Sequence, residues 1–351
     1  MSTSPTEIQI ALGIITSGPD TYWLERRPDA KHLAGLLAFP GGKCGPDESP
    51  FSALRRELFE ELGIDVDEAE LLIEIPWVYA ESKPAKHLRL WVYRVTAWQG
   101  EIRGGEGQYL TQARLDCRQR QGWQDDLPPA NRGIVAGLCL PTRVAISAAC
   151  GLAGEGIEQW WQDLAETARD LARRFGVSGA LLQLRPGRDL TLAEWQRAVD
   201  VVRDQGIAVF VNADLGLAAA VGADGIHLNR TRLVRVDRDK LAAWQAAGGW
   251  VTAAVHLPAE MVRANDVRAD AVLVSPVQPT ASHLDVPALG WDAFAALART
   301  ATMPAYALGG MTLADLQQAR LAGGQGIAAI RAFWCAGGCR SVGDPARKIS
   351  D

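Results

Sequence analysis

Apolar and polar positions along the chain follow two textures that meet near residue 140. Before that point, apolar runs of strand length at residues 8–15, 71–78 and 88–96 are set among long loops rich in Gly and Pro, with one strong helix at 49–62. This texture predicts a mixed sheet with helices. After Leu138-Cys139-Leu140-Pro141, short apolar runs alternate with amphipathic stretches, the pattern of βα units on a parallel sheet. Ile157, Trp161, Leu164, Ala168, Leu171 and Phe175 step by four and three, so they line one face of a helix. Thr191 with Glu194 spells a capping box that opens the next helix. Eight apolar runs fall near Val144, Leu182, Val209, Ile226, Thr252, Val272, Ala307 and Ala328, with a helix candidate in most intervals. Eight such units close into a barrel, here a compact one of about 190 residues against the ~250 usual for the architecture.

A length of 351 residues fits two domains, or three small ones. The expected division is a first domain over 1–138, a barrel over 143–334, and a Gly-rich, disordered tail over 335–351. Hydrophobic residues at 48% and charged residues at 22% exclude a disordered or fibrous chain. A net charge of -5 leaves no basic field for polymeric nucleic acid or an anionic membrane, so any nucleotide partner is expected to be small. The six cysteines, at 44, 117, 139, 150, 335 and 339, lack paired spacing and are expected to be reduced thiols, the last two of them tail residues. The polar start of the chain has no basic-then-apolar order, and the run at 8–15 is too short to span a membrane, so the expected location is cytoplasmic.

The stretch from Gly42 to Ile64 carries the clearest chemistry. On its helix Glu57, Glu60 and Glu61 stand at i, i+3 and i+4, on one face, while Leu54, Leu58 and Leu62 hold the other. Three carboxylates facing one way repel each other unless cations neutralise them, and hard oxygen ligands suit Mg²⁺, with Mn²⁺ as a substitute. A solvated acidic face is the ordinary alternative for such a run, but it leaves Gly42, Glu48, Arg56 and Gly63 unexplained in their register. The stretch resembles the Nudix box, G-x5-E-x7-R-E-U-x-E-E-x-G-U with U aliphatic, at every specified position. The resemblance implies an α/β/α sandwich with a mixed sheet, and hydrolysis of a phosphoric anhydride with divalent ions. It implies Glu57, Glu60 and Glu61 as metal ligands, with Gly42 beside them, and Arg56 as the residue that orients Glu57, itself a candidate base.

Residues from about 8 to 136 look most like the MutT-type enzymes that clear oxidised purine nucleotides such as 8-oxo-dGTP. The likeness runs in order through Glu25-Arg26-Arg27, Phe39-Pro40-Gly41-Gly42-Lys43, Leu90-Trp91, Gly105-Glu106-Gly107-Gln108 and Pro128-Pro129-Ala130-Asn131. It implies that Glu106 joins the metal site or acts as base and that Asn131 hydrogen-bonds the base. An Asn amide can read a purine edge with paired donor and acceptor, though Asn131 could equally cap a helix. Arg27 is a candidate nucleotide contact or a surface charge, and Phe39 packs either beside the base or in the core. The chain departs from the likeness at Ala85-Lys86-His87, where an Asp-Arg-His run is usual. It departs again after Gln108, where residues 109–115 lack a Trp and 117–126 read as an insertion.

Residues 143–334 resemble the thiamine phosphate synthase and thiazole tautomerase superfamily of TIM barrels. The matching runs are Leu182-Gln183-Leu184-Arg185, Val221-Gly222-Ala223-Asp224-Gly225-Ile226-His227-Leu228, Ser275-Pro276-Val277-Gln278-Pro279-Thr280 and Leu308-Gly309-Gly310-Met311. The expected barrel ligand residues are Gln183, Arg185, His256, Gly309, Gly310 and Arg331, the ligand a thiamine or thiazole phosphate. Gly309-Gly310 and Arg331 follow the seventh and eighth strands, where such barrels bind phosphate, although a Gly pair also makes a tight turn. Asn212-Ala213 stands where the resemblance expects a magnesium-binding Asp, and Asn229-Arg230-Thr231-Arg232 where it expects a second acid. Gly187 and His283 replace two expected lysines. Without the carboxylates, pyrophosphate departure has no metal to stabilise it, so synthase turnover is not expected. His256 stands where tautomerases carry a proton-shuttling histidine, or is structural.

Overall fold

The computed structural model describes residues 7–27, 33–105, 109–117, 121–150, 156–280 and 287–335. Glu106, His283 and residues 336–351 of the expected tail lie outside them. Helix α1 (Pro50–Leu62) opens on a Ser49 cap whose side chain accepts from the Ser52 amide, and it ends at Gly63, left-handed at φ 70°, a conformation that a Cβ would penalise. Its Leu54, Leu58 and Leu62 are fully buried against β1 (Ile8–Ile14), Ile64 and Val66.

In the first domain, β2 (Thr16–Gly18), β3 (Thr21–Arg26), β4 (Leu37–Ala38) and β8 (Tyr109–Arg114) make an antiparallel sheet, while β5 (Gly41–Lys43), β6 (Asp65–Tyr79) and β7 (Lys86–Gln99) join β1 in the order β5-β1-β7-β6. Only β1 and β7 run parallel in that second sheet, which makes it mixed. Strands β6 and β7 extend well past their apolar centres because they form one long hairpin. Short α2 (Gln121–Asp126) leads into α3 (Arg132–Cys139). One face of the mixed sheet carries α1. The other carries α3 and a core built on Ile14, Leu24, Phe39, Ile75 and Val92, which gives the sandwich its layers.

The second domain is a closed parallel barrel of β9 (Arg143–Ile146), β10 (Leu181–Leu184), β11 (Ala208–Val211), β12 (Gly225–Leu228), β13 (Trp250–Val255), β14 (Ala271–Val274), β15 (Ala305–Leu308) and β16 (Gly326–Ala329). Its helices are α4 (Ile157–Phe175), α5 (Leu192–Arg203), α6 (Leu215–Ala220), α7 (Arg230–Arg235), α8 (Arg238–Ala246), α9 (Pro258–Asp266), α10 (Gly290–Ala298) and α11 (Leu316–Leu321). Each run predicted from hydrophobicity is a barrel strand, and the Thr191–Glu194 capping box is formed. Alternation along the strands sends Leu181, Phe210, Leu273 and Tyr306 to the barrel interior, and Leu182, Val209 and Val272 outward under the helices.

The two domains are joined by more than the chain. Ala136 and Leu140 at the end of α3 pack into the interior cluster of the barrel, the Tyr306 hydroxyl donates to the Pro141 carbonyl at 2.6 Å, and Gln325 donates to Gly137 and Leu140. Arg132 donates to the fully buried Asp270 carboxylate at 3.0 Å. Two expectations about cysteine are corrected here. Cys117 and Cys139 are joined as a disulfide, because folding brings the chain after β8 to the end of α3, with Cα atoms 5.4 Å apart, which their 22-residue separation does not reveal. Cys335 is no tail residue: it is buried, and its amide donates to Thr167 Oγ1 at 3.1 Å. No helix among the described residues is long and apolar enough to cross a membrane.

Candidate active site

The acidic face of α1 is organised by one guanidinium. Arg56 donates through Nε and Nη2 to both oxygens of Glu48, at 3.0 and 2.9 Å, and through Nη1 to Glu57 at 2.7 Å. The same Nη1 lies 3.6 Å from Glu60, and Nη2 also reaches the Lys43 carbonyl at 3.0 Å. Glu48 is held in turn by the Gly45 amide at 2.7 Å. These bonds raise the Arg56 pKa above its ordinary value, chiefly through Glu48 and then Glu57, and the Arg56 bond holds the Glu48 carboxyl below the usual carboxylate range. Residues between Lys43 and Glu60 thus share one charged network that ties the loop before α1 to the helix.

The glycines before the helix are part of the same construction. Gly41 donates its amide to Glu61 Oε2 at 2.8 Å, which holds the 5% exposed Glu61 against β5. A Cβ on Gly42 would lie 2.2 Å from the Glu57 carboxylate, so that carboxylate rests directly on the strand backbone. Glu60 is half exposed. The Gly105 amide donates to the Glu61 carbonyl at 2.8 Å, which brings the chain leading to Glu106 alongside the end of α1. Sequence spacing therefore located the glutamates correctly on one element, while the structure separates them into one pinned by Arg56, one pinned by Gly41 and one facing outward.

Among the described residues, no three acidic, His or Cys side chains already stand together as a metal cluster. The donor chemistry nevertheless fits a hard divalent ion, because Glu57 and Glu60 share a single cationic partner and have oxygens to offer it or a metal.

The base-reading candidates divide. Asn131 is 4% exposed, ends a 3₁₀ turn and precedes α3 without making a side-chain cap hydrogen bond, so helix capping is not its role. The Ala130 amide bonds the Tyr79 hydroxyl, and Arg27 lies within electrostatic reach of that tyrosine. Arg27, Tyr79 and the Asn131 turn are thereby gathered, and Tyr79, at the far end of β6, carried no sequence signal beyond its strand. Phe39 is corrected to the core: it is 1% exposed, with its ring 6.2 Å from Trp123, which itself stands edge-on to Tyr22 at 5.9 Å. Trp123 belongs to the segment that read as an insertion. Its ring lies beside Tyr22 of β3 and its Nε1–H donates to the Arg114 carbonyl at the end of β8 at 3.0 Å.

In the barrel, Gln183 is buried on β10, while Arg185, Asn212, Arg232 and His256 follow the C-terminal ends of β10, β11, β12 and β13. His256 donates Nδ1–H to the Ser275 carbonyl at 2.7 Å, and its amide donates to Glu260 at 2.6 Å. Arg331 is exposed after β16. Gly309 and Gly310 have φ of 96° and 71°, and a Cβ on either would come within 2.9 Å of the 276–279 segment, so the turn itself requires both. Arg232, which sequence reasoning treated only as a missing acid, donates Nη1 to the Asn212 side chain at 2.7 Å and its carbonyl at 3.2 Å. A cleft of about 600 Å³ opens at the opposite mouth, among Leu181, Ala208, Trp250 and the Cys117–Cys139 bridge, and holds none of the expected ligand residues.

Comparison with known proteins matches both halves. Residues 7–136 fit the family described as NUDIX domain, and residues 158–333 the one described as thiamine monophosphate synthase. An 8-oxo-dGTP diphosphatase of Escherichia coli is 36% identical over 135 residues, covering 38% of this chain and 96% of that protein. One from Haemophilus influenzae is 37% identical over 131 residues, covering 36% of this chain and 88% of that protein. A thiamine-phosphate synthase of Methanoculleus marisnigri is 35% identical over 172 residues, covering 47% of this chain and 80% of that protein. Through these two matches the chain belongs at once to the Nudix family, by its first domain, and to the thiamine monophosphate synthase family, by its barrel.

Proposed function

We propose that the first domain, residues 1–138, hydrolyses 8-oxo-dGTP and related oxidised purine nucleoside triphosphates to the monophosphate and pyrophosphate, and so cleans the nucleotide pool and limits mutation. A Nudix enzyme is a hydrolase of phosphoric anhydrides, and the relatives of this domain act on the oxidised nucleotide. The observation that carries the reading is the Arg56 network, which holds Glu57 against the backbone of Gly42 with its carboxylate oriented. Glu57, Glu60 and Glu61 would hold Mg²⁺ or Mn²⁺, with Gly42 and Glu106 as further ligands. The ion, when bound, supplies neutralisation of the pyrophosphate charge and a water of lowered pKa.

The protein's own groups divide the remaining work. Arg56 holds Glu57 in place, where its carboxylate would accept a proton from the attacking water, and Glu106 is the second candidate for that task. Asn131, a nearly buried amide, pairs with the oxidised purine edge, and Arg27 contacts the nucleotide beside it. Pyrophosphate release from 8-oxo-dGTP with Mg²⁺ tests the reading, and its absence in the purified full chain would refute it. Glu57→Gln is expected to remove at least 99% of turnover, on the order of the 10²-fold contribution of a positioned base, with the melting temperature unchanged.

The barrel, residues 143–334, is proposed to be a family member without synthase turnover, since Ala213 follows Asn212 where an Asp is required and the loop Asn229-Arg230-Thr231-Arg232 offers no second acid. Its fusion to the Nudix domain favours a second reading, in which the hydrolase cleaves a thiamine-type pyrophosphate and the barrel binds or tautomerises a thiazole phosphate through His256. Competition between 8-oxo-dGTP and thiamine pyrophosphate separates the two, because the preferred substrate has the higher kcat/KM.

A further inference from the structure

Helix α3 carries no charged side chain after Arg132, and its residues Gly133 to Gly137 are all buried. A helix apolar all round must be covered all round. Ile134 and Val135 pack into the first domain's own core, with Ile75 and Val92. Ala136 instead joins Leu181, Phe210 and Tyr306 in the barrel interior. The helix thus belongs to the packing of the barrel as well as to that of the first domain.

Both ends of α3 are also tied to the barrel by hydrogen bonds. At the start, Arg132 donates to the Asp270 carboxylate at 3.0 Å. Asp270 is fixed in the barrel wall, since its carboxylate accepts from the Val251 amide at 2.9 Å and its own amide donates to the Val251 carbonyl at 2.7 Å. At the end, Gln325 donates to the carbonyls of Gly137 and Leu140 at 2.9 and 3.1 Å. Between them, Gly133 lies so close to the barrel that a Cβ would stand 2.4 Å from the Thr302 carbonyl oxygen, and 2.9 Å from Ile75 Cδ1 on the other domain. The Thr302 backbone is held in its turn, its amide donating to Asn265 at 3.1 Å. Asn131 immediately precedes this clamp. Its amide donates to the Pro128 carbonyl at 2.8 Å and that of Arg132 to the Pro129 carbonyl, so the turn and the start of the helix form one unit.

We propose that the barrel positions the base-reading turn of the hydrolase. Asp270, acting through Arg132, and Thr302, seated on Gly133, set where Asn131 stands and thereby how well the first domain tells an oxidised purine from an ordinary one. The inference rests on the reading of Asn131 as the residue that pairs with the base. An amide discriminates between bases only through where its acceptor and donors are placed, and a shift of about 1 Å is enough to lose such a hydrogen bond. None of these contacts involves α1, so a loosened clamp lowers discrimination while the acidic face and its Arg56 network stay in place. Asp270, Arg132 and Gly133 are positioning residues.

Steady-state kinetics of pyrophosphate release by the full chain, with 8-oxo-dGTP and with dGTP, test this through the ratio of the two kcat/KM values. Partial unfolding lowers both values equally and leaves the ratio untouched, whereas a displaced Asn131 lowers it. Asp270→Asn removes the charge that holds Arg132, and Gly133→Ala forces α3 from Thr302 by roughly 1 Å. Each should reduce the ratio about tenfold, through KM for 8-oxo-dGTP, with kcat for dGTP within about twofold of wild type. In an Asn131→Ala background, Asp270→Asn should reduce it no further, because the residue it positions is gone. Gln325→Met, which removes the donors at the far end of α3, should lower the ratio in the same sense and keeps the test open if either variant fails to fold. A wild-type chain inactive on 8-oxo-dGTP would refute the hydrolase reading itself, and this inference with it. An active wild type whose ratio is near one, or is kept within about twofold by every soluble variant, would overturn the inference alone.

Discussion

Replacing Gly42 by Ala puts the proposed catalytic arrangement under direct strain. The added Cβ would lie 2.2 Å from both Cδ and Oε2 of Glu57 and 2.5 Å from Oε1, where ordinary contacts begin near 3.4 Å. The carboxylate must therefore retreat by roughly 1 Å, and its 2.7 Å bond to Arg56 cannot survive in place. A misplacement of about 1 Å in a reacting group costs on the order of 10²-fold in rate. The fold should tolerate the change, because the obstructing atoms end a flexible side chain. Removing a glycine where φ is ordinary also stabilises by about 0.4–1 kcal/mol through the unfolded chain. The expected result is a loss of about 100-fold in kcat/KM for pyrophosphate release, with the thermal midpoint within a few degrees of wild type. Gly41→Ala is the contrasting control. At φ 134° its Cβ would meet the Ala11 carbonyl oxygen at 2.2 Å, a backbone atom of the central sheet, so stability itself should fall. A Gly42→Ala enzyme with kcat/KM within about threefold of wild type would show that Glu57 does not work from the position it occupies.

Three other outcomes follow from the packing. Arg132→Ala removes a cationic partner from the fully buried Asp270, which also accepts from the Val251 amide and Gln245, and should cost about 3 kcal/mol in denaturant unfolding; a loss under about 1 kcal/mol would mean that the interdomain pair is dispensable. His227 binds a proton near 6.5 when unfolded but only at about 3 when folded, so between those values the unfolded chain holds more protons and stability falls as pH falls. That decline, at most about 1.4 kcal/mol per pH unit from this group, should flatten in His227→Gln, and identical pH profiles would contradict it. Thiol titration of denatured protein should find two fewer reactive cysteines before reduction than after, and peptide mapping should join Cys117 to Cys139.

Much of the fold is legible in the chain because its elements are selected by local periodicity. The spacing of four between Leu54, Leu58 and Leu62 buries one side of α1 and leaves Glu60 on the exposed side, while Glu61 is buried against Gly41. The barrel runs are legible for a similar reason. A strand covered by helices outside and by side chains inside must be largely apolar, and Leu181–Leu184, apolar but for Gln183, Ala271–Val274 and Gly326–Ala329 are buried along their whole length. Phe39 could not be assigned this way, since a core phenylalanine and one beside a ligand have the same sequence neighbours. Trp123 decides it from 84 positions away. The disulfide, Cys335 and Tyr79 escaped for the same reason: each acquires its role from a residue far along the chain.

What the sequence determined by itself is the set of elements, the family of each half and the residues that could do chemistry, because periodicity and motif spacing are properties of neighbours. Only the tertiary structure decided how charges are divided among those residues. It gave Arg56 to Glu48 and Glu57, and Gly41 to Glu61. It also turned Arg232 from the absence of an acid into a cation held at the barrel mouth. Electrostatic and steric partnership depends on distance in space, and folding joins Asn212 to Arg232 and Arg132 to Asp270 across separations that no local pattern records.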